Sequence, residues 1–254
     1  MRVIASAYHV AETENKKLVL VWKNDTDCNC SYRELFNLPE NIQGIVVNGF
    51  FPKKFLKLIP TIMGKNRFFT DKDIKLWKEK NKAHEFLSKP ENIYIRTCET
   101  LYKTTDEHFP PLDYTIFHPV SAISDSLPKI FDHTNLIGIH IRRTDNIASI
   151  ENSPLELFMK NMDREMDENN GNCIFFIASD DSESKSLLLK RYGSKHIFTR
   201  TGIELSRAEQ NGIRDAYIDL LCLSKCSKIY GSYWSSFGRC AAHIGNIPLI
   251  ICKK

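Results

Sequence analysis

Two adjacent arginines, Arg142 and Arg143, stand between His140 and Asp145 in the run His-Ile-Arg-Arg-Thr-Asp. Each guanidinium is a planar fork of donors that stays charged at neutral pH, which suits a diphosphate or a bidentate carboxylate. The stretch before them, Leu136 to Ile141, is apolar with a period of two and reads as a buried strand, so the charge begins where the strand ends. Ligands of open α/β sheets settle just outside the carboxyl ends of parallel strands. Taken alone, the same run also fits a solvated loop whose arginines pair with local carboxylates.

Four further groups could take part in the same chemistry. Cys173 to Ala178 reads as a continuous apolar strand running into Ser179-Asp180-Asp181. Carboxylates at a strand end suit a metal, yet no nucleophile motif of a phosphotransferase accompanies them. Ser235 and Ser236 open a helix after a strand at Lys228 to Ser232, where free backbone donors and hydroxyls make a phosphate seat; plain N-capping by Ser235 is the alternative. On a helix from Asn211 to Ser224, Asp215 and Asp219 share a face and repel. The first-turn dipole relieves Asp215 but hardly reaches Asp219. Asp219 is therefore the better functional candidate, against the alternative of a solvated helix-face carboxylate. Glu151 lies on a loop between Asp145 and the next helix.

The elements that must position these groups follow from pattern. Residues 136 to 251 alternate strand and helix, the signature of a doubly wound parallel sheet. Ser153-Pro154-Leu155-Glu156 predicts a helix start with Ser153 as N-cap, and the methionines 159, 162 and 166 behind it read as core filling. Before this, residues 3 to 14 read as a helix, Leu18 to Trp22 as a buried strand, Ser31 to Phe36 as a short capped helix, Ile42 to Val47 and Ile93 to Ile95 as strands, and Asp73 to Ser88 as one charged helix. Phe50-Phe51-Pro52-Lys53-Lys54 is a candidate acceptor contact, and the proline-punctuated stretch 104 to 134 reads as a crossover between lobes.

Composition sets bounds. The 254 residues, 42% hydrophobic, suffice for one large or two smaller domains. A net charge of +4 without a dense basic run argues against nucleic acid and is compatible with a small anionic ligand. No apolar run reaches membrane-spanning length, and Glu12, Glu14 and Asp25 fall where a signal peptide would be apolar. With eight cysteines and no paired Cys-x-x-Cys knuckles, the expectation is buried thiols in a reducing cytoplasm, with no zinc site.

The His140 to Asp145 run resembles the H-x-R-R-x-D signature of the alpha-1,6-fucosyltransferases and their relatives, the rhizobial nodulation and protein O-fucosyltransferases. Ala178-Ser179-Asp180-Asp181 is similar to their second motif, a strand ending in an acidic pair. Arg214 to Leu220 followed by Ser232-Tyr233-Trp234-Ser235-Ser236-Phe237 looks like their third. The three motifs cover about half the chain, in the family's order. The resemblance implies an α/β, GT-B-like fold with two Rossmann-type lobes: an amino-terminal acceptor-side lobe over residues 1–118 and a carboxyl-terminal nucleotide-sugar lobe over 135–254.

It further implies inverting, metal-independent transfer of fucose from GDP-fucose to a glycan or protein hydroxyl, with no cofactor. Arg142, Arg143, Asp145 and Glu151 form the implied catalytic group, with Arg142 on the diphosphate beside Ser235 and Ser236. His140 and Asp219 carry over as nucleoside contacts, and Asp180 and Asp181 as shaping or ribose-side carboxylates. The family's base glutamate aligns with Ile150, so Glu151 takes the part only through a one-residue loop shift. Arg2 to Ala7 resembles the continuation of a Gly-Asn-Arg-type loop that relatives place after a first strand, which leads us to expect a start lacking that strand. The alternative is a degenerate transferase that holds a nucleotide sugar without turnover.

Overall fold

The computed structural model describes residues 1–26, 28–37, 42–47, 68–89, 92–103, 111–132 and 136–254. Met1–Asp25 with Ser31–Pro119 forms one compact unit, and Thr26–Cys30 with Val120–Lys254 forms a second.

The second unit is built on five parallel strands: β5 (Leu136–Ile141), β6 (Ile174–Ser179), β7 (Ile197–Phe198), β8 (Lys228–Ser232) and β9 (Leu249–Cys252), in the spatial order β7-β6-β5-β8-β9. The first strand in sequence is central, the next two extend to one side and the last two to the other. That is the order of a doubly wound sheet, with its reversal between β5 and β8. All six residues of β5 are buried, as a strand covered on both faces requires. Ile137, Ile139 and Ile141 pack with Phe158 and Met162 of the helix Leu155–Glu168, and with Phe175, Ile177 and Leu188. The opposite face meets Leu223 and Cys226 at Gly138, and Phe237 and Gly238 at His140.

Sequence and structure differ at the start of that Leu155–Glu168 helix. Ser153 does not cap it; Pro154 holds the N-cap position. The Ser153 hydroxyl instead donates to the Cys252 carbonyl at 2.5 Å and accepts from the Tyr233 amide at 2.7 Å, tying β9 to the loop after β8. A buried hydroxyl satisfies tertiary donors and acceptors first when they lie closer than its own helix end.

In the first unit, β1 (Leu18–Lys23) pairs in parallel with β2 (Ile42–Val47), and β3 (Phe68–Thr70) with β4 (Tyr94–Arg96). Among the described residues these are two separate pairs rather than one wound sheet. β1 is not buried on both faces, since Val19 and Val21 are exposed. The expected Asp73 to Ser88 helix is two, Asp71–Glu79 and Ala83–Leu87, parted at Asn81, whose φ of 55° lies in the left-handed region. A Thr70–Asp73 capping box starts the first of them. Phe50 to Lys54 lies outside the described residues. Among the described residues no helix is long and apolar enough to cross a membrane.

The helices numbered here as α1 (Gln210–Ser224) and α2 (Ser236–Gly245) pack on each other through a glycine. A Cβ on Gly245 would stand 2.0 Å from the Ser224 carbonyl oxygen, which is backbone and cannot rotate away. Gly245→Ala, which by helix propensity alone would stabilise by about 1 kcal/mol, is expected to destabilise by about 1 to 3 kcal/mol through overpacking. Urea unfolding decides between the two signs.

Candidate functional site

The register of the sheet sets the site. Ile141 is opposite Ser179 and His140 is opposite Gly231, so Arg142 emerges beside Asp180 on one side and Ser232 on the other. The Ser232 hydroxyl accepts from the Arg142 amide at 3.0 Å and donates to the His140 carbonyl at 3.3 Å, bridging β5 and β8 at the reversal of strand order. Asp180 takes the Arg143 amide at 2.8 Å on Oδ1 and the Thr144 hydroxyl at 2.7 Å on Oδ2. Arg142 Nε lies 3.2 Å from the same Oδ2.

The Arg142 side chain is 18% exposed and is not turned into bulk water. Nε donates to Asp145 Oδ1 at 2.8 Å, and Nη2 pairs with the same oxygen. Nη1 makes no bond among the described residues. Burial works against the charge of Asp145, but the Arg142 bond and charge, with Arg207 at 3.5 Å, hold its carboxyl below the ordinary value. Arg143 does not join Arg142 as a twin fork. Its Nη1 donates to the Ile150 carbonyl at 3.3 Å, bracing the short helix Ile147–Asn152. Glu151 is on that helix, exposed.

Asp181 is an N-cap: its carboxylate accepts from the Ser184 amide at 2.8 Å, the Ser184 hydroxyl, and the Glu183 amide at 3.3 Å at the head of the helix Ser182–Tyr192. Burial opposes its charge, and these bonds outweigh it, setting the carboxyl below its usual range. Ser235 stands at the N-cap of α2 with no side-chain capping bond, so the first amides of the helix stay available, and Ser236 is exposed beside them. Trp234, just before, has a φ of 56° and its carbonyl accepts from Asn146 Nδ2 at 3.0 Å. A bulky residue in that region is strained, and such strain collects at functional loops.

Asp219 is buried and ion-paired, not solvated on a helix face. Its partner, Arg200, was not visible as a site residue in the sequence, and Lys185 stands within electrostatic reach of Asp219 and Asp180. The signal existed: Arg200 lies two residues past the strand Ile197–Phe198, near a strand end as Arg142 is at the end of β5. Two hollows lie away from these residues, one of about 180 Å³ beside Trp77 and Phe86 and one of about 440 Å³ beside Glu156, Asp163 and Arg191, and neither is lined by a candidate site residue of the sequence. Among the described residues no cluster of three His, Cys, Asp or Glu could hold a metal ion.

In open, doubly wound sheets the strand ends at a reversal of strand order, beside a helix start, are where anionic ligands can settle. Solved structures share this fold. The chain aligns with NodZ alpha-1,6-fucosyltransferase soaked with GDP-fucose at a TM-score of 0.59 and 18% identity, over 95% of this chain and 86% of that one. Arabidopsis thaliana FUT1, as a mutant in complex with GDP, gives 0.59 at 15% identity, over 98% and 66%. POFUT1 in complex with GDP gives 0.51 at 12%, over 99% and 93%. No protein-family model and no curated sequence matches. The fold of this chain is the fucosyltransferase-like fold.

His140 yields a test of the site's packing. It is buried, stacked on Phe237 at 5.0 Å, with Nδ1 sealed and unbonded among the described residues. Desolvation, opposed by Asp180 and reinforced by Arg142, pushes it down to about 4. The unfolded chain therefore binds a proton that the folded chain refuses: stability is full above the ordinary histidine value and falls as pH drops toward 4. The expected loss between about pH 7 and about pH 5 is about 2 kcal/mol. His140→Leu should flatten that slope in denaturant unfolding; an unchanged slope would mean that the ring is not buried as neutral imidazole.

Proposed function

We propose that the chain is a glycosyltransferase moving fucose from GDP-fucose to a hydroxyl of a carbohydrate or protein, with inversion and without a metal. The observation that carries this reading is the place of Arg142: the exit of the central strand, at the reversal of strand order, beside the uncapped start of α2. The NodZ and POFUT1 structures of the same fold hold GDP-fucose or GDP, which supports the choice of donor. In this reading the unit with the five-stranded sheet is the Rossmann-type donor lobe of a GT-B architecture, and the other unit serves the acceptor. Buried thiols such as Cys226 and Cys252, pushed up to about 12 by burial, suit a reducing cytoplasm.

In transfer, the bond between the sugar's anomeric carbon and the β-phosphate oxygen breaks as the acceptor oxygen attacks from the opposite face. Negative charge grows on the departing diphosphate. Arg142 and the amides at Ser235 and Ser236 are fixed donors that stabilise it with little reorganisation. Asp145 now occupies the Arg142 fork, and being 54% exposed, it holds that fork through a screened pair of small net strength. A diphosphate of higher charge can replace it, freeing Asp145 as a carboxylate near the reacting atoms. His140 and Asp219 face the nucleoside, while Asp180 shapes the loop and Asp181 stays a helix cap. Glu151 is the base by the family likeness.

One observation favours the second reading, a nucleotide-sugar-binding protein without turnover: Glu151 is exposed on its helix. A magnesium-dependent phosphotransferase is disfavoured, because Asp180 and Asp181 are committed to backbone amides and hydroxyls.

Arg142→Ala is expected to lower transfer from GDP-fucose by at least about 100-fold, while EDTA leaves the wild-type rate unchanged. Strong inhibition by the chelator would overturn the metal-free mechanism. GDP binding with neither transfer nor donor hydrolysis would favour the second reading.

A further inference from the structure

Arg200 lies two residues beyond β7, its side chain 13% exposed. Nη1 donates to Asp219 Oδ1 at 3.0 Å and to the Asp215 carbonyl at 2.9 Å, while Nη2 pairs with the Asp215 carboxylate. Asp215 is anchored in turn by the Glu204 amide, 3.0 Å from its Oδ2. The guanidinium is thus locked against one turn of α1, with the Asp219 carboxylate as its inner partner.

Asp219 is 6% exposed. Its Oδ2 takes no bond from a described residue, and it is not among the buried atoms sealed without a partner. One oxygen is pinned and the other is open to approach, which makes the group an acceptor of fixed direction. A lone carboxylate this deep would lose its charge; the guanidinium beside it opposes that loss, and burial still leaves the carboxyl above its ordinary value.

We infer that Arg200 is a positioning residue for the nucleoside of the donor: it pins Oδ1 of Asp219 so that Oδ2 meets N–H or O–H donors of the nucleoside, which Arg200 itself does not touch. This rests on the donor-site reading given above. The ionised groups facing Asp219 are Arg200 from the segment after β7, Lys185 from the Ser182–Tyr192 helix, and Asp215 from its own helix. Cys222, on the same helix, is a thiol that burial pushes well up and so stays neutral. Burial raises the Asp219 carboxyl, and Arg200 and then Lys185 pull it back. Without Arg200 the carboxyl protonates at higher pH, and a contact that needs the carboxylate fades earlier on acidification.

Calorimetric titration of GDP and of inorganic pyrophosphate into the wild type, Arg200→Met, Arg200→Lys and the double variant Arg200→Met with Asp219→Asn tests this. Pyrophosphate probes the diphosphate seat without the nucleoside. Arg200→Met should weaken GDP by about 10- to 100-fold and leave pyrophosphate nearly unchanged, with the GDP loss growing from about pH 8 to about pH 5.5. Arg200→Lys should recover part of the affinity, and the double variant should be no worse than Arg200→Met. Equal losses for GDP and pyrophosphate would reveal a merely structural role and overturn the inference, as would unchanged GDP affinity in Arg200→Met. Wild type that binds pyrophosphate but gains nothing from the nucleoside would sink the role of Asp219. Wild type that binds neither would sink the donor-site reading itself.

Discussion

The arrangement at the strand ends depends on one carboxylate. Asp180 receives an amide, a hydroxyl and the edge of a guanidinium from three consecutive residues, Arg143, Thr144 and Arg142. It can do so because β5 and β6 run in register, with Ile141 opposite Ser179, so the first residue past each strand faces the other. A chain leaving a buried strand carries polar backbone groups that need partners. Asp180 supplies them and, in doing so, fixes where Arg142 points. Ser232 does the same from β8 with a hydroxyl. The fork is therefore directed from both neighbouring strands, the rigidity that the proposed anion seat needs.

Much of this was legible before any coordinates. β5 could be read because a parallel strand buried on both faces is a short uninterrupted apolar run with charge at its exit. The alternation of elements from Leu136 onward gave the wound sheet, since short apolar runs and amphipathic segments took turns. The first unit was harder. β1 has only one covered face, and its exposed valines look in sequence like the inside of a strand. The break at Asn81 depends on a single left-handed residue inside an otherwise helical charge pattern.

The surroundings of the candidate residues were legible when they sat next to a strand end and illegible when they were set by a partner far along the chain. Arg142, Asp180 and the serines at α2 fall in the first group. Asp219 was singled out because the helix dipole could not relieve it, and the relief comes from Arg200, nineteen positions earlier in sequence and on another element. Arg143 was expected to double the fork, but the carbonyl of Ile150 is nearer to hand and takes it. Adjacent residues leaving a strand point in opposite directions, so two consecutive guanidinium groups seldom share one target.

The five residues Thr26–Cys30 belong with the carboxyl-terminal body although the sequence on either side of them does not. Asn29 donates through its amide to the Arg207 carbonyl at 3.1 Å and through Nδ2 to the Ala208 carbonyl at 2.7 Å, holding the loop whose Arg207 reaches Asp145. The backbone accordingly passes between the bodies three times rather than once. A gene fragment beginning at Val120 would encode every strand of the larger sheet and still be missing a native brace for the loop at Arg207 and Ala208.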